Sequence, residues 1–135
     1  MDTQQLAHPK RTGLSKKEKR AREHARRRAL RDRIWERDGG RSRASGSILQ
    51  RGHAIDVLRG EVCHVQSRGS EPSRSMDPTN CLLMSAWEHA LSDARGGYRL
   101  KLTDPLTGEP ALDATKRIKF TLFRKDGTIE REYVS

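Results

Sequence analysis

The sequence predicts an α+β chain: a long basic N-terminal helix, then strand, loop, strand and helix, then a C-terminal antiparallel β-hairpin. Three observations carry that expectation. Residues 15–37 contain no Gly or Pro and open on Ser15 with Glu18 three places later, a capping-box pattern that satisfies orphan amides at a helix start. Glu61-Val62-Cys63-His64-Val65 and Cys81-Leu82-Leu83-Met84 are alternating or apolar runs of strand length. Ile118, Phe120 and Leu122 alternate with Lys119, Thr121 and Phe123 ahead of Lys125-Asp126-Gly127, a strand with one apolar face that runs into a tight turn.

With 135 residues, 33 % hydrophobic and 4 % aromatic, the chain has room for one small domain with appendages and a modest core. Residues 1–13 mix Gln, Pro, Lys, Thr and Gly without apolar periodicity and read as a disordered leader. Residues 14–37 form the basic helical arm, a helix of roughly 22 residues stopped by Gly39-Gly40. Its Ala21, Ala25 and Ala29 lead toward Leu30, Ile34 and Trp35, so only its C-terminal third is apolar enough to dock on a core.

Residues 38–97 form the central unit. It begins with a Gly- and Arg-rich connector whose apolar patches, Ile48-Leu49 and Ile55 to Leu58, read as a short hairpin. The two strands follow, separated by Gln66 to Thr79, a loop rich in Ser, Arg, Gly and Pro. A loop longer than about 12 residues inside a small domain is more often functional than idle. Ser85 to Ala94 reads as helix, closed by Gly96-Gly97. Residues 98–135 are strand-like: Tyr98 to Thr103, Arg117 to Arg124 and Thr128 to Val134.

The charge is concentrated at one end. Of a net +10, residues 1–37 hold +8, with 13 Lys and Arg against 5 Asp and Glu. Such a segment reads as a phosphate-binding element with salt-sensitive, sequence-independent affinity. The low aromatic content argues against recognition of single strands by base stacking, which leaves double-stranded DNA as the expected partner. No apolar run approaches the length that spans a bilayer, and no basic-then-apolar start with a cleavage site is present, so no membrane partner and a cytoplasmic setting are expected. Cys63 and Cys81 lie in runs read as strands, which suits reduced, buried thiols rather than a disulfide framework.

The chemistry-bearing residues recur at fixed intervals: Cys63-His64, Asn80 sixteen positions after His64, His89 nine further and Asp93 four further. A neutral imidazole takes a proton from water, an amide holds that imidazole in one orientation, and an imidazole with a carboxylate fixes a divalent cation on a phosphate. The spacing suits a metal-dependent phosphodiesterase.

The stretch from Arg37-Asp38-Gly39-Gly40 through Glu61 to Val65, Pro78-Thr79-Asn80-Cys81-Leu82-Leu83 and Glu88-His89 to Asp93 resembles the HNH (His-Me finger) endonucleases over about residues 30–95. The resemblance implies a ββα-metal module with His64 as general base, Asn80 orienting it across the loop, and His89 as a metal ligand on the helix, joined by Asp93 one turn later. Cys63 stands where the family usually has an Asp or His ligand. Either Cys63 is a ligand and selects Zn²⁺ or another transition metal, or it is a passive strand residue and Mg²⁺ or Mn²⁺ is held by His89, Asp93, phosphate and water. Ser42, Ser45, Ser85 and Glu88 occupy the places of the zinc-ribbon cysteines many relatives carry, so no structural four-cysteine zinc is expected. Arg22, Arg26, Arg27 and Arg33 of the arm, with Arg68 and Arg74 of the loop, are the expected phosphate contacts. The resemblance implies an endonuclease that leaves a 5′ phosphate, in a phage or prophage setting. Cutting both strands with one site requires a homodimer or two successive nicks. The alternative is an inactive HNH-like nucleic-acid-binding protein.

Overall fold

The computed structural model describes residues 13–67, 69, 71–92 and 95–135, the side chain of Arg95 excepted. The leader predicted for residues 1–13 thus falls outside the described residues, Gly13 apart. Helix α1, Lys16–Arg37, starts where the capping pattern places it: the Ser15 hydroxyl accepts from the Glu18 amide at 3.2 Å and donates to the Glu18 carboxylate at 3.0 Å. It ends as Gly39 and Gly40 turn the chain with φ of 67° and 66°, a region open to glycine at little cost. Ile34 is the buried residue of α1, in keeping with docking through the C-terminal third.

The connector does not form the expected hairpin. Its two patches do not pair with each other; Arg41 bridges Ile48, and Gln50 bridges Arg59 in parallel. Leu49 enters the core at 4 % exposure, whereas Ile55 and Val57 stay more than half exposed. Local bonds hold the second patch in a turn, with the Leu58 and Arg59 amides donating to the Ile55 carbonyl and the Ile55 amide donating to His53 Nδ1.

Strand β1, Gly60–His64, pairs antiparallel with β2, Cys81–Ser85, in a register that sets His64 opposite Cys81 and Gly60 opposite Ser85. Gly60 is needed for close approach, since a Cβ there would lie 2.5 Å from the Trp35 ring. All five residues of β2 are buried, and the reason lies in the pleat. Leu82 and Met84 face one core cluster with Cys63, Leu91, Leu100, Ile118 and Phe120, while Cys81 and Leu83 face a second with Ile34, Leu49 and Trp35. A strand covered on both faces reads as a continuous apolar run rather than an alternation.

Helix α2, Ala86–Ser92, follows β2 directly and sets Leu91 in the first cluster. The C-terminal strands β3, Arg99–Thr103, β4, Lys119–Phe123, and β5, Ile129–Val134, form one antiparallel sheet in the order β3-β4-β5. The expected hairpin is the β4–β5 pair, and β3 extends it to three strands. The inner face of the sheet covers the first cluster through Leu100 and Phe120.

A charged knot ties α1 to the rest. The Asp38 carboxylate accepts from the Leu83 amide at 2.9 Å and from Arg37 Nε at 3.0 Å, with Arg43 3.5 Å away. Arg37 donates to the carbonyls of Pro78 and Cys81, and Arg43 to those of Ala114 and Lys116. Burial draws the Arg43 guanidinium below its ordinary pKa, opposed by Asp38.

Candidate active site and its basic groove

His64 ends β1, where the chain leaves the sheet for the long loop. Its Nε2 lies 2.8 Å from the Ser75 carbonyl oxygen, which can only accept, so Nε2 carries the hydrogen and Nδ1 of the neutral ring keeps its lone pair. The carbonyl is in turn fixed by the loop. Asn80, wholly buried, accepts from the Gln66 amide at 2.8 Å and donates to the carbonyls of Gln66 at 3.0 Å and Arg74 at 3.2 Å. It therefore clamps both ends of the loop and reaches His64 through the backbone beside Ser75, with no bond to the ring itself.

Arg74 is committed within the same loop. Its guanidinium donates to Asp77, to the Thr79 hydroxyl and to Gln66 Oε1. Asp77 caps the turn Pro78–Asn80 by accepting from the Thr79 amide and hydroxyl. Those two bonds, followed by Arg74, hold its carboxyl below the usual carboxylate range. The loop is a preorganised support for one carbonyl, and Arg74 belongs to that support. Arg68 lies outside the described residues.

His89, on α2, has Nδ1 3.1 Å from Glu61 Oε1 on β1. The carboxylate accepts, so Nδ1 carries the hydrogen and Nε2 of the neutral ring keeps the lone pair. A carboxylate that accepts from one ring nitrogen in this way holds the ring in place and leaves the other nitrogen free to donate its lone pair. Arg59 Nε lies 3.8 Å from the same carboxylate.

His64, Glu61 and His89 line one groove of about 500 Å³, whose other lining residues include Arg27, Arg31, Arg51 and Arg59. Helix α1 supplies one wall through Glu23, Arg27, Leu30 and Arg31, residues at helical spacing that present one face. Arg51 stacks over the Trp35 ring at 4.7 Å and pairs with Asp32, so its position follows from the docking of α1. Of the expected arm contacts, Arg27 lines this groove. Arg26 and Arg33 border a second hollow of about 280 Å³ beside Met76 and Pro78, and Arg22 is exposed outside both.

The expected metal ligands separate. His89 faces the groove, whereas Cys63, 1 % exposed, packs in the first core cluster. Burial pushes its thiol well above the ordinary range, the opposite of what a thiolate ligand requires. Its pleat position explains this, because the side of β1 that Cys63 occupies is covered by α2 and the C-terminal sheet. Asp93 lies outside the described residues. Among the described residues no three His, Cys, Asp or Glu side chains converge as a metal-binding group.

Reading the sequence missed Glu61, Arg31, Arg51 and Arg59. Glu61 had a signal, a carboxylate on the same strand three residues before His64. Arg51 and Arg59 had none, since their place depends on the three-dimensional path of the connector.

The four positions without ribbon cysteines are joined another way. Glu88 Oε1 accepts from the Ser42 hydroxyl at 2.7 Å and the Ser85 amide at 2.9 Å. The Ser85 hydroxyl accepts from the Glu88 amide, and the Ser42 hydroxyl from the amides of Ala44 and Ser45. A hydrogen-bonded clip ties the connector to the β2–α2 junction. No protein-family model matches this chain, and neither does a curated protein or a solved structure.

Proposed function

We propose that the chain is a divalent-metal-dependent endonuclease of the HNH type acting on double-stranded DNA. The observation that carries this reading is that His64, Glu61 and His89 line one arginine-walled groove. His64 is the general base. Its Nδ1 faces no competing tautomer while Nε2–H is held by Ser75, and the same carbonyl stabilises the imidazolium once the proton has been taken from water. Asn80 keeps that carbonyl in place by clamping the loop. Arg27, Arg31 and Arg59 draw the phosphate backbone into the groove.

His89 offers Nε2 to a cation while Glu61 holds its Nδ1–H, and Asp93, four residues after His89 in sequence, is the carboxylate that would join it. An imidazole-and-carboxylate set with the thiol withdrawn into the core suits Mg²⁺ or Mn²⁺ better than Zn²⁺. A cation there would neutralise charge on the phosphate and leaving oxygen.

The test is nicking of supercoiled plasmid in Mg²⁺, Mn²⁺, Zn²⁺ or EDTA by the parent protein, His64→Ala and Cys63→Ala. Metal-dependent nicking that falls by about 10²–10⁴-fold in His64→Ala, with DNA affinity retained and Cys63→Ala still active, is expected. Absence of cleavage under every metal would leave the alternative, a binding protein without chemistry.

A further inference from the structure

We infer that residues 16–28 of α1 enter the major groove of B-form duplex DNA and touch both of its phosphate walls. This stretch is exposed throughout, Glu23 alone being half-buried. Six of its eight cations fall in two rows. At about 100° per residue, Lys17, Arg20 and Arg28 fall to one side of Ala25, and Lys19, Arg22 and Arg26 to the other, each roughly a sixth to two fifths of a turn away, while Lys16 and Arg27 lie on the opposite face. Between the rows lie Ala21 and Ala25, with Glu18 at the N-terminal end of the stripe held back by Ser15. A helix resting on one backbone strand needs cations on one side. Cations on two sides, separated by small side chains, match two rows of phosphate with room for close approach between them.

The dimensions agree. Residues 16–28 rise about 18 Å, roughly five base pairs at 3.4 Å each, and a helix about 10–12 Å across fits a major groove about 12 Å wide. The deep, narrow major groove of A-form RNA does not admit it, so duplex DNA is the partner and duplex RNA is not. The row that holds Arg20 and Arg28 continues into Arg31, which lines the His64 groove. The phosphate wall on that side is therefore the one delivered to His64, a step that rests on the nuclease reading, whereas groove entry does not.

The test is equilibrium binding of the full chain in EDTA to a fluorescent duplex, the same duplex with glucosylated 5-hydroxymethylcytosine filling its major groove, and the matching RNA duplex. Glucosylation and the RNA duplex should each weaken binding about tenfold or more. Arg20→Ala with Arg28→Ala, and separately Arg22→Ala with Arg26→Ala, should each lower the slope of log affinity against log salt by about 1.8. These side chains are exposed, and helical circular dichroism of each variant is the check that it folds. Equal affinity for plain and glucosylated duplexes, or a slope change confined to one row, overturns groove entry. Because binding is read without metal, a protein that binds in this way and never cuts refutes the nuclease reading alone. One that cuts and ignores glucosylation refutes this inference alone.

Discussion

Glu61 holds His89 by a single 3.1 Å contact, and that contact decides which imidazole nitrogen keeps its lone pair. Removing the carboxylate's charge while keeping its shape tests the role. On the proposed nuclease reading, Glu61→Gln should lower metal-dependent nicking about 10–100-fold, while DNA affinity measured in EDTA stays the same or rises, because an anion has left the groove proposed to take the phosphate backbone. Loss of binding in that variant would assign Glu61 to the architecture of the groove. Asn80 makes the complementary case. It is wholly buried and its side chain serves three backbone groups, so Asn80→Ala strands an amide and carbonyls and should cost about 2–4 kcal/mol in urea unfolding. Activity measured where the variant is still folded should also fall, since the Ser75 carbonyl that fixes the His64 tautomer would then ride on a slack loop.

Among the elements, the hydrogen-bonded clip explains how β2 and α2 hold the connector with two cysteines in the whole chain. Ser42 and Glu88 meet at 2.7 Å in a partly buried contact. A double-mutant cycle on Ser42→Ala and Glu88→Ala should return a coupling of about 1–3 kcal/mol by thermal or urea unfolding. A coupling near zero would mean that the serines only cap local turns. The clip was not legible in the sequence because Ser and Glu are ordinary surface residues, and nothing in their spacing distinguishes a buried contact from a solvated one. Helix α1 was legible, since capping by Ser15 and the Gly39-Gly40 stop act locally. So was the polar content of the loop, though not its use. Arg74 reads as a phosphate contact in sequence, and only the folded loop brings Asp77, Thr79 and Gln66 around it. The connector misled for the same reason, as apolar patches of strand length were closed into turns by backbone contacts that the sequence does not announce.

Across the whole molecule, the protonation states that folding favours bracket a stability plateau. On the acid side Asp77, Asp113 and Asp126 lie below the ordinary carboxyl value of 3.8, each through hydrogen bonds to a threonine two residues on. A depressed carboxyl contributes stability that is present above the unfolded pKa and lost as pH falls through the folded one, so an acid decline should begin below about pH 4. Asp126 is exposed and Asp77 and Asp113 are only partly buried, which keeps that decline shallow. On the alkaline side burial raises both thiols, Cys63 well above 9.0 and Cys81 from 9.0 to about 11. A raised thiol contributes stability that is present below the unfolded pKa and lost as pH rises, because the unfolded chain releases its proton first. Between pH 9 and 11 the loss from Cys81 is about 1.4 kcal/mol per pH unit, roughly 3 kcal/mol in all, and Cys63 adds in the same direction. Urea unfolding from pH 3 to 11 should show a plateau from about pH 4 to 9 and a steeper fall above it. Cys81→Ala should be less stable on the plateau, through the lost packing, and yet show a shallower alkaline limb. An alkaline limb unchanged in that variant would locate the titration elsewhere and remove the burial of Cys81 as its cause.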